Sequence, residues 1–205
     1  TRIAVFITAI GVSFLLEYGM VYLVGANTRA FPQAIETVRF DLGPISLTNV
    51  QLMILAALCV VLRQAFAFLP NVQPISAIFF LLVLFEDWQF ACLVMAVTMF
   101  TSAFLLGMSP VVLAQILAFG LLLTLWRGIY RHLSLQVQTL VVGILSFLYG
   151  IVIDSLYAVL YHMPWWTYAL VNGFSFNLAH ALSTACFYPL LYIVFRRLYH
   201  EKNTL

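Results

Sequence analysis

Residues 137–160 read VQTLVVGILSFLYGIVIDSLYAVL, an unbroken apolar run with one ionisable group, Asp154. As a helix it is about 36 Å long, enough to cross a hydrocarbon core of about 30 Å. Lipid offers backbone N–H and C=O groups no partners, so a spanning segment must be a helix or part of a closed barrel. The run is continuous rather than alternating, which selects the helix. Apolar runs at residues 3–24, 50–68, 75–85, 90–106, 111–126 and 168–195 repeat the pattern. The run 75–85 is short and is expected to tilt or to join a neighbour across a brief break.

Composition agrees. The chain is 64% apolar and 8% charged, with mean hydropathy +1.07, whereas a soluble domain carries about 25% charged residues. Nine Lys and Arg with seven Asp and Glu cannot clothe a water-facing surface of 205 residues. The net charge of +2 and the lack of a basic block exclude a nucleic-acid partner. Cys59, Cys92 and Cys186 each lie inside an apolar run, far from one another and from clustered His or carboxylates, and read as small core residues. No metal site and no cofactor are expected. The run 3–24 exceeds the roughly 7–15-residue core of a signal peptide and reads as a span, although Glu17 sits in it. Thr1 reads as a processed or cut end, or as the start of a fragment.

The expected architecture is thus an all-α integral membrane protein: one helix, a polar connection over 25–48, then a block of six helices. The connection (GANTRAFPQAIETVRFDLGPISLT) holds Arg29, Glu36, Arg39 and Asp41 with Pro32, Gly43 and Pro44 as breakers. Arg127 and Arg131, and Arg196, Arg197 and Lys202, mark two sites expected on the cytoplasmic side, the C-terminus included. The connections LPNVQP (69–74), GMSP (107–110) and YHMPWW (161–166) then gather on the outer face. Stiff, aromatic, hydrogen-bonding loops suit a binding mouth; Trp and Tyr there also suit a plain interfacial belt.

Ionisable groups within spans point to function by default. Arg63 and Asp154 are expected at equal depth, roughly 8 Å below the outer boundary, as an ion pair or as two walls of a pocket; Arg63 could instead snorkel. On the fifth helix of the block, Gly143, Ser146, Gly150, Asp154, Tyr157 and Tyr161 share one face, and small residues there admit a close neighbour. On the sixth, Gly173, Asn177, His180 and Thr184 form a second stripe. His180 reads equally as an interhelical hydrogen bond or as pocket lining. Catalysis is not expected. H-E-x-x-H, G-x-S-x-G and P-loop patterns are all absent, and Ser109, followed by Pro110, breaks the nucleophile elbow. Any importer built on this chain therefore needs an outside energy source.

From about residue 57 onward the segments VVLRQAFAFLPNVQPISAI (60–78), FLLGMSPVVLAQILAFGLL (104–122), FLYGIVIDSLY (147–157) and FNLAHALS (176–183) resemble the substrate-specific (S) components of energy-coupling factor transporters. LPNVQP and F-x-x-x-H-A look most like the branch associated with cobalamin-type ligands. The resemblance implies a six-helix domain over residues 47–205 that captures a vitamin on its outer face. It also implies docking on a coupling membrane subunit driven by two ATPase subunits, in a plasma membrane of bacterial type. The implied substrate-binding residues are Asn71, Gln73, Asp154, Tyr157, Trp165, Asn177 and His180. Docking in such proteins uses A-x-x-x-A on the first helix; here Ala56 and Ala57 are followed four residues later by Val60 and Val61. The family pattern would also place Asp at Asn177 and Asn near Ser102 or Ser183.

Residues 1–55, with ITAIGVSFLLEYGMVYLVGANTRAFPQAI and FDLGPISLTNVQLMILA, resemble a fragment of a branched-chain amino acid ABC permease of the LivH type. The implied organisation is a permease-like piece over 1–46, with one span and a polar connection, joined to an S-component-like domain. The rival readings are an intramembrane enzyme with His180 and Asp154 as its polar pair, and a fusion without transport of its own.

Overall fold

The computed structural model describes residues 12, 14, 15, 18, 19, 22, 36–42, 45–109 and 111–202. The chain divides into two compact units, Thr1–Glu36 and Thr37–Leu205. In the first, the described residues between 12 and 22 are helical, and Phe14 and Tyr18 sit one turn apart with ring centroids 6.1 Å apart. The rest of the expected span 3–24, and residues 25–35 of the polar connection, lie outside the described residues.

The second unit opens with a feature absent from the all-helical expectation. Strands β1 (Arg39–Leu42) and β2 (Ile45–Thr48) pair antiparallel within the expected polar connection. The hairpin is stitched to the helix that follows: Asn49 N donates to Val38 O at 3.1 Å and Val38 N to Asn49 Oδ1 at 3.0 Å. The compact unit accordingly begins at Thr37.

Six α-helices follow: α1 (Asn49–Ala65), α2 (Ile75–Phe85), α3 (Trp88–Leu106), α4 (Val111–Ile129), α5 (Leu135–Leu160) and α6 (Phe174–Lys202). A 3-10 turn (Tyr130–His132) joins α4 to α5, and a π-helical stretch (Trp166–Asn172) leads into α6. Thr48 and Gln51 cap α1 reciprocally, side chain to backbone N–H in both directions. Asp87 caps α3 by accepting from Gln89 N. The helix then stops at Gly107, whose φ of 112° few other residues adopt.

The expected count of six spans in this unit is corrected. Among the described residues, only α3, α4, α5 and α6 are long and apolar enough to cross a membrane; α1 and α2 have 17 and 11 residues. At about 1.5 Å per residue α2 reaches about 16 Å, half of a hydrocarbon core. It is not a surface helix either. Residues 75–83 are all buried, and α2 packs against each of the other five helices. A helix apolar on every side must be sheathed on every side.

The sheath is aromatic where it is tightest. Phe79 and Phe80 of α2 pack on Phe119 of α4 at 5.5 and 5.6 Å between centroids, and Phe80 meets Trp126 edge-on at 5.8 Å. The polar atoms among them are satisfied. Trp126 Nε1 donates to Phe80 O at 3.1 Å, and Tyr188 OH to Gln138 Oε1 at 2.9 Å. Gln138 Nε2 in turn donates to the carbonyls of Tyr130 and Leu133.

The outward surface is apolar too. Leu113, Leu117, Leu121 and Leu125 form an i, i+4 stripe on α4, each 59–70% exposed. Such a stripe suits lipid and not water. The chain is therefore a helical, membrane-embedded protein with four helices among its described residues fit to span. Truncating Trp126 to Ala should lower unfolding stability by about 3–5 kcal/mol, whereas Leu117→Ala on the lipid face should stay within about 0.5 kcal/mol. Detergent-unfolding titrations of the two variants check the contrast.

Candidate functional site

Because α2 is short, it leaves space beyond its N-terminal end, between the taller helices around it. There lies a cavity of about 200 Å³. Ile75 and Ser76 line it from α2; Asn71 and Gln73 come from the loop between α1 and α2. That loop is pinned to α6. Asn71, in the left-handed region at φ 57°, donates from Nδ2 to Phe176 O at 3.1 Å. Gln73 N donates to Ser183 Oγ at 3.0 Å, and Ser183 Oγ donates back to Gln73 O at 3.2 Å.

The walls come from four more helices: Arg63 of α1, Met99 of α3, Gln115 and Phe119 of α4, and Tyr149, Gly150, Ile153 and Asp154 of α5. Asn177 and His180 of α6 complete them. All these positions fall at the end carrying the three connections expected to share a face. Arg127 and Arg196 fall near the opposite ends of α4 and α6.

Three hydrogen bonds organise the polar lining. Asn177, only 3% exposed, donates from Nδ2 to Asp154 Oδ2 at 2.7 Å. Ser76 Oγ and His180 Nε2 share a hydrogen bond of 2.7 Å, with the Tyr149 ring edge-on to the imidazole at 5.8 Å. Arg63 Nη1 donates to Ser102 Oγ at 2.7 Å. The first bond depends on two glycines. A Cβ at Gly150 would stand 1.9 Å from Asn177 Oδ1, and one at Gly173 would stand 2.1 Å from Asp154 Oδ2.

Five of the seven residues implied by the sequence come together here: Asn71, Gln73, Asp154, Asn177 and His180. Tyr157 does not reach this cavity; it lines an adjoining one of about 140 Å³ and stacks on Tyr161. Trp165 lines neither. Its indole is drawn to the flank of α5, donating to Ser155 Oγ at 2.9 Å. The ion pair between Arg63 and Asp154 is not formed, although both line one cavity: each is hydrogen-bonded to a neutral partner instead. On α1, Ala56 is buried at 5% exposure while Ala57 is exposed.

Ser76, Gln115 and Tyr149 line the cavity and were not singled out from the sequence. Gln115 had a visible signal, being an isolated amide in an apolar run. Ser76 and Tyr149 are too ordinary in membrane helices to stand out. Comparison with protein-family models, curated proteins and solved structures finds no match to this chain. The functional reading therefore rests on the cavity itself.

Gly150→Ala and Gly173→Ala should each dislodge the Asp154–Asn177 bond and impair whatever the cavity binds. Gly143→Ala, whose Cβ would meet Ala181 O and Ala185 Cβ no closer than 3.4 Å, should be tolerated. Thermal unfolding of the three purified variants separates the cases: about 1–3 kcal/mol lost for the first two, and little for the third.

Proposed function

We propose that this chain is the substrate-capturing membrane subunit of an ATP-driven vitamin importer of the energy-coupling factor type. The observation that carries the reading is the cavity: a polar, partly enclosed chamber at one end of a lipid-facing bundle, built by all six helices of the second unit and capped by a loop. Pockets of this kind, apolar in frame with a few convergent polar groups, hold small molecules. ATP hydrolysis would fall to two partner ATPases through a coupling membrane subunit. Arg127, Arg131, Arg196 and Arg197 lie toward the helix ends away from the cavity, and the preference of basic residues for the cytoplasm supports a cavity facing outside and a C-terminus inside, in a plasma membrane of bacterial type. A six-helix S-component-like bundle is part of the same reading, with α1 and α2 completing the block without crossing alone.

Size bears on the ligand. A cavity of about 200 Å³ lies below the roughly 300–1,000 Å³ of pockets for drug-sized molecules. A small vitamin suits it better than a whole corrinoid, which would need the 66–74 loop to lift away. The purified chain in detergent should bind one member of a vitamin panel, cobalamin and cobinamide included, with Kd below about 1 μM. Asp154→Ala and Asn177→Ala should weaken that binding by about tenfold or more. A chain starting at Thr37 should bind as the full chain does, since the cavity lies wholly within the second unit. A well-folded sample that binds no member would sink the importer reading and leave a fusion without transport.

One bond favours a second reading, a serine hydrolase working within the membrane: the Ser76–His180 pair at 2.7 Å has the reach of a nucleophile and its base. Among the described residues no carboxylate backs the imidazole, as a triad would require. Covalent labelling by a fluorophosphonate, lost in Ser76→Ala, would favour this reading; absence of labelling retires it.

A further inference from the structure

Arg63 stands where two cavities meet. With Met99 and Gln115 it lines both the cavity of about 200 Å³ and the adjoining one of about 140 Å³. Its one hydrogen bond among the described residues runs from Nη1 to Ser102 Oγ, and that serine is fully buried and donates to Met99 O at 3.0 Å. A hydroxyl does not neutralise a guanidinium, and an uncompensated charge inside an apolar bundle is costly. The Nε is buried without a partner among the described residues. With Nη1 engaged by Ser102 and Nε buried, Nη2 is the donor left to meet a carboxylate. The carboxylate of this cavity does not meet it: Asp154 is held by Asn177. It retains acceptor sites of its own, since a carboxylate offers about four. One cavity thus presents a guanidinium donor from α1 and a charge-assisted acceptor from α5.

We propose that the cavity selects a small two-ended ligand, with a carboxylate held by Arg63 and hydrogen-bond donors held by Asp154. This rests on the substrate-capture reading and narrows it to a ligand class, acidic at one end and donor-bearing at the other. Corrinoids and purely cationic vitamins fall outside that class.

Matched probes test it on the full-length chain in detergent. Pantothenate and biotin each carry a carboxylate at one end and donors at the other; panthenol and biotinamide keep the donors and lose the charge. Titration calorimetry should find that at least one acid binds, and that its neutral counterpart binds about ten- to a hundredfold more weakly. Arg63→Met, close in length and uncharged, should erase the difference within the pair by weakening the acid alone. Asp154→Asn should weaken both members of the pair. Arg63→Lys should restore part of the preference for the acid, which a merely structural arginine would not show. Equal binding of acid and neutral partner, or an acid preference that survives Arg63→Met, overturns the proposal. So does binding of thiamine or cobinamide to the exclusion of both acids, although that result leaves substrate capture standing. A folded sample that binds none of these compounds overturns both.

Discussion

A helix of eleven residues that is apolar on every side sets the terms for the rest of this bundle. α2 can neither cross a bilayer nor lie on a surface, so it must be enclosed, and the other five helices enclose it. Its side chains pack with the ring-on-ring contacts of Phe79, Phe80, Phe119 and Trp126, and the polar edges of that cluster are closed by bonds to carbonyls and to Gln138. Its shortness has a second effect. Where α2 ends, its taller neighbours continue, and the volume between them is the cavity.

The cavity is polar because lining it with polar groups is the tolerable way to place them inside such a bundle. A buried donor or acceptor without a partner costs far more than the net gain of a hydrogen bond, and several polar wall residues are tied to another element. Asn177 joins α6 to Asp154 of α5, His180 joins α6 to Ser76 of α2, and Arg63 joins α1 to Ser102 of α3. Glycines at 150 and 173 let α5 and the start of α6 approach closely enough for the first of these. The same bonds that relieve burial also hold the side chains in place for a ligand. Arg63 is the exception, with a buried Nε that no described residue serves.

Much of this was legible in the residues. Runs of apolar residues located five of the six helices of the second unit to within three positions and α6 to within seven, because lipid exposure demands continuous apolar sequence and polar loops interrupt it. The stripes Gly143 to Asp154 and Gly173 to Thr184 marked the facing sides of α5 and α6, because helical periodicity alone brings residues three and four apart together. Asp154, Asn177 and His180 were legible for that reason as residues of the inward faces, where they line the cavity. The β-hairpin at 39–48 was not, since its short polar and apolar alternation is drowned by the breakers Gly43 and Pro44 and reads as plain connection.

By itself the sequence determined that the chain is helical and lipid-embedded, and which helix faces look inward, since both follow from local periodicity and the price of bare backbone in lipid. Only the tertiary structure decided that α2 is a buried core rather than a span, because its run is too short to cross and enclosure depends on neighbours remote in sequence. Tertiary packing also decided that Arg63 and Asp154 face one cavity without pairing. Equal depth along two helices says nothing of rotation about their axes, and it is rotation that set Ser102 and Asn177 closer to hand.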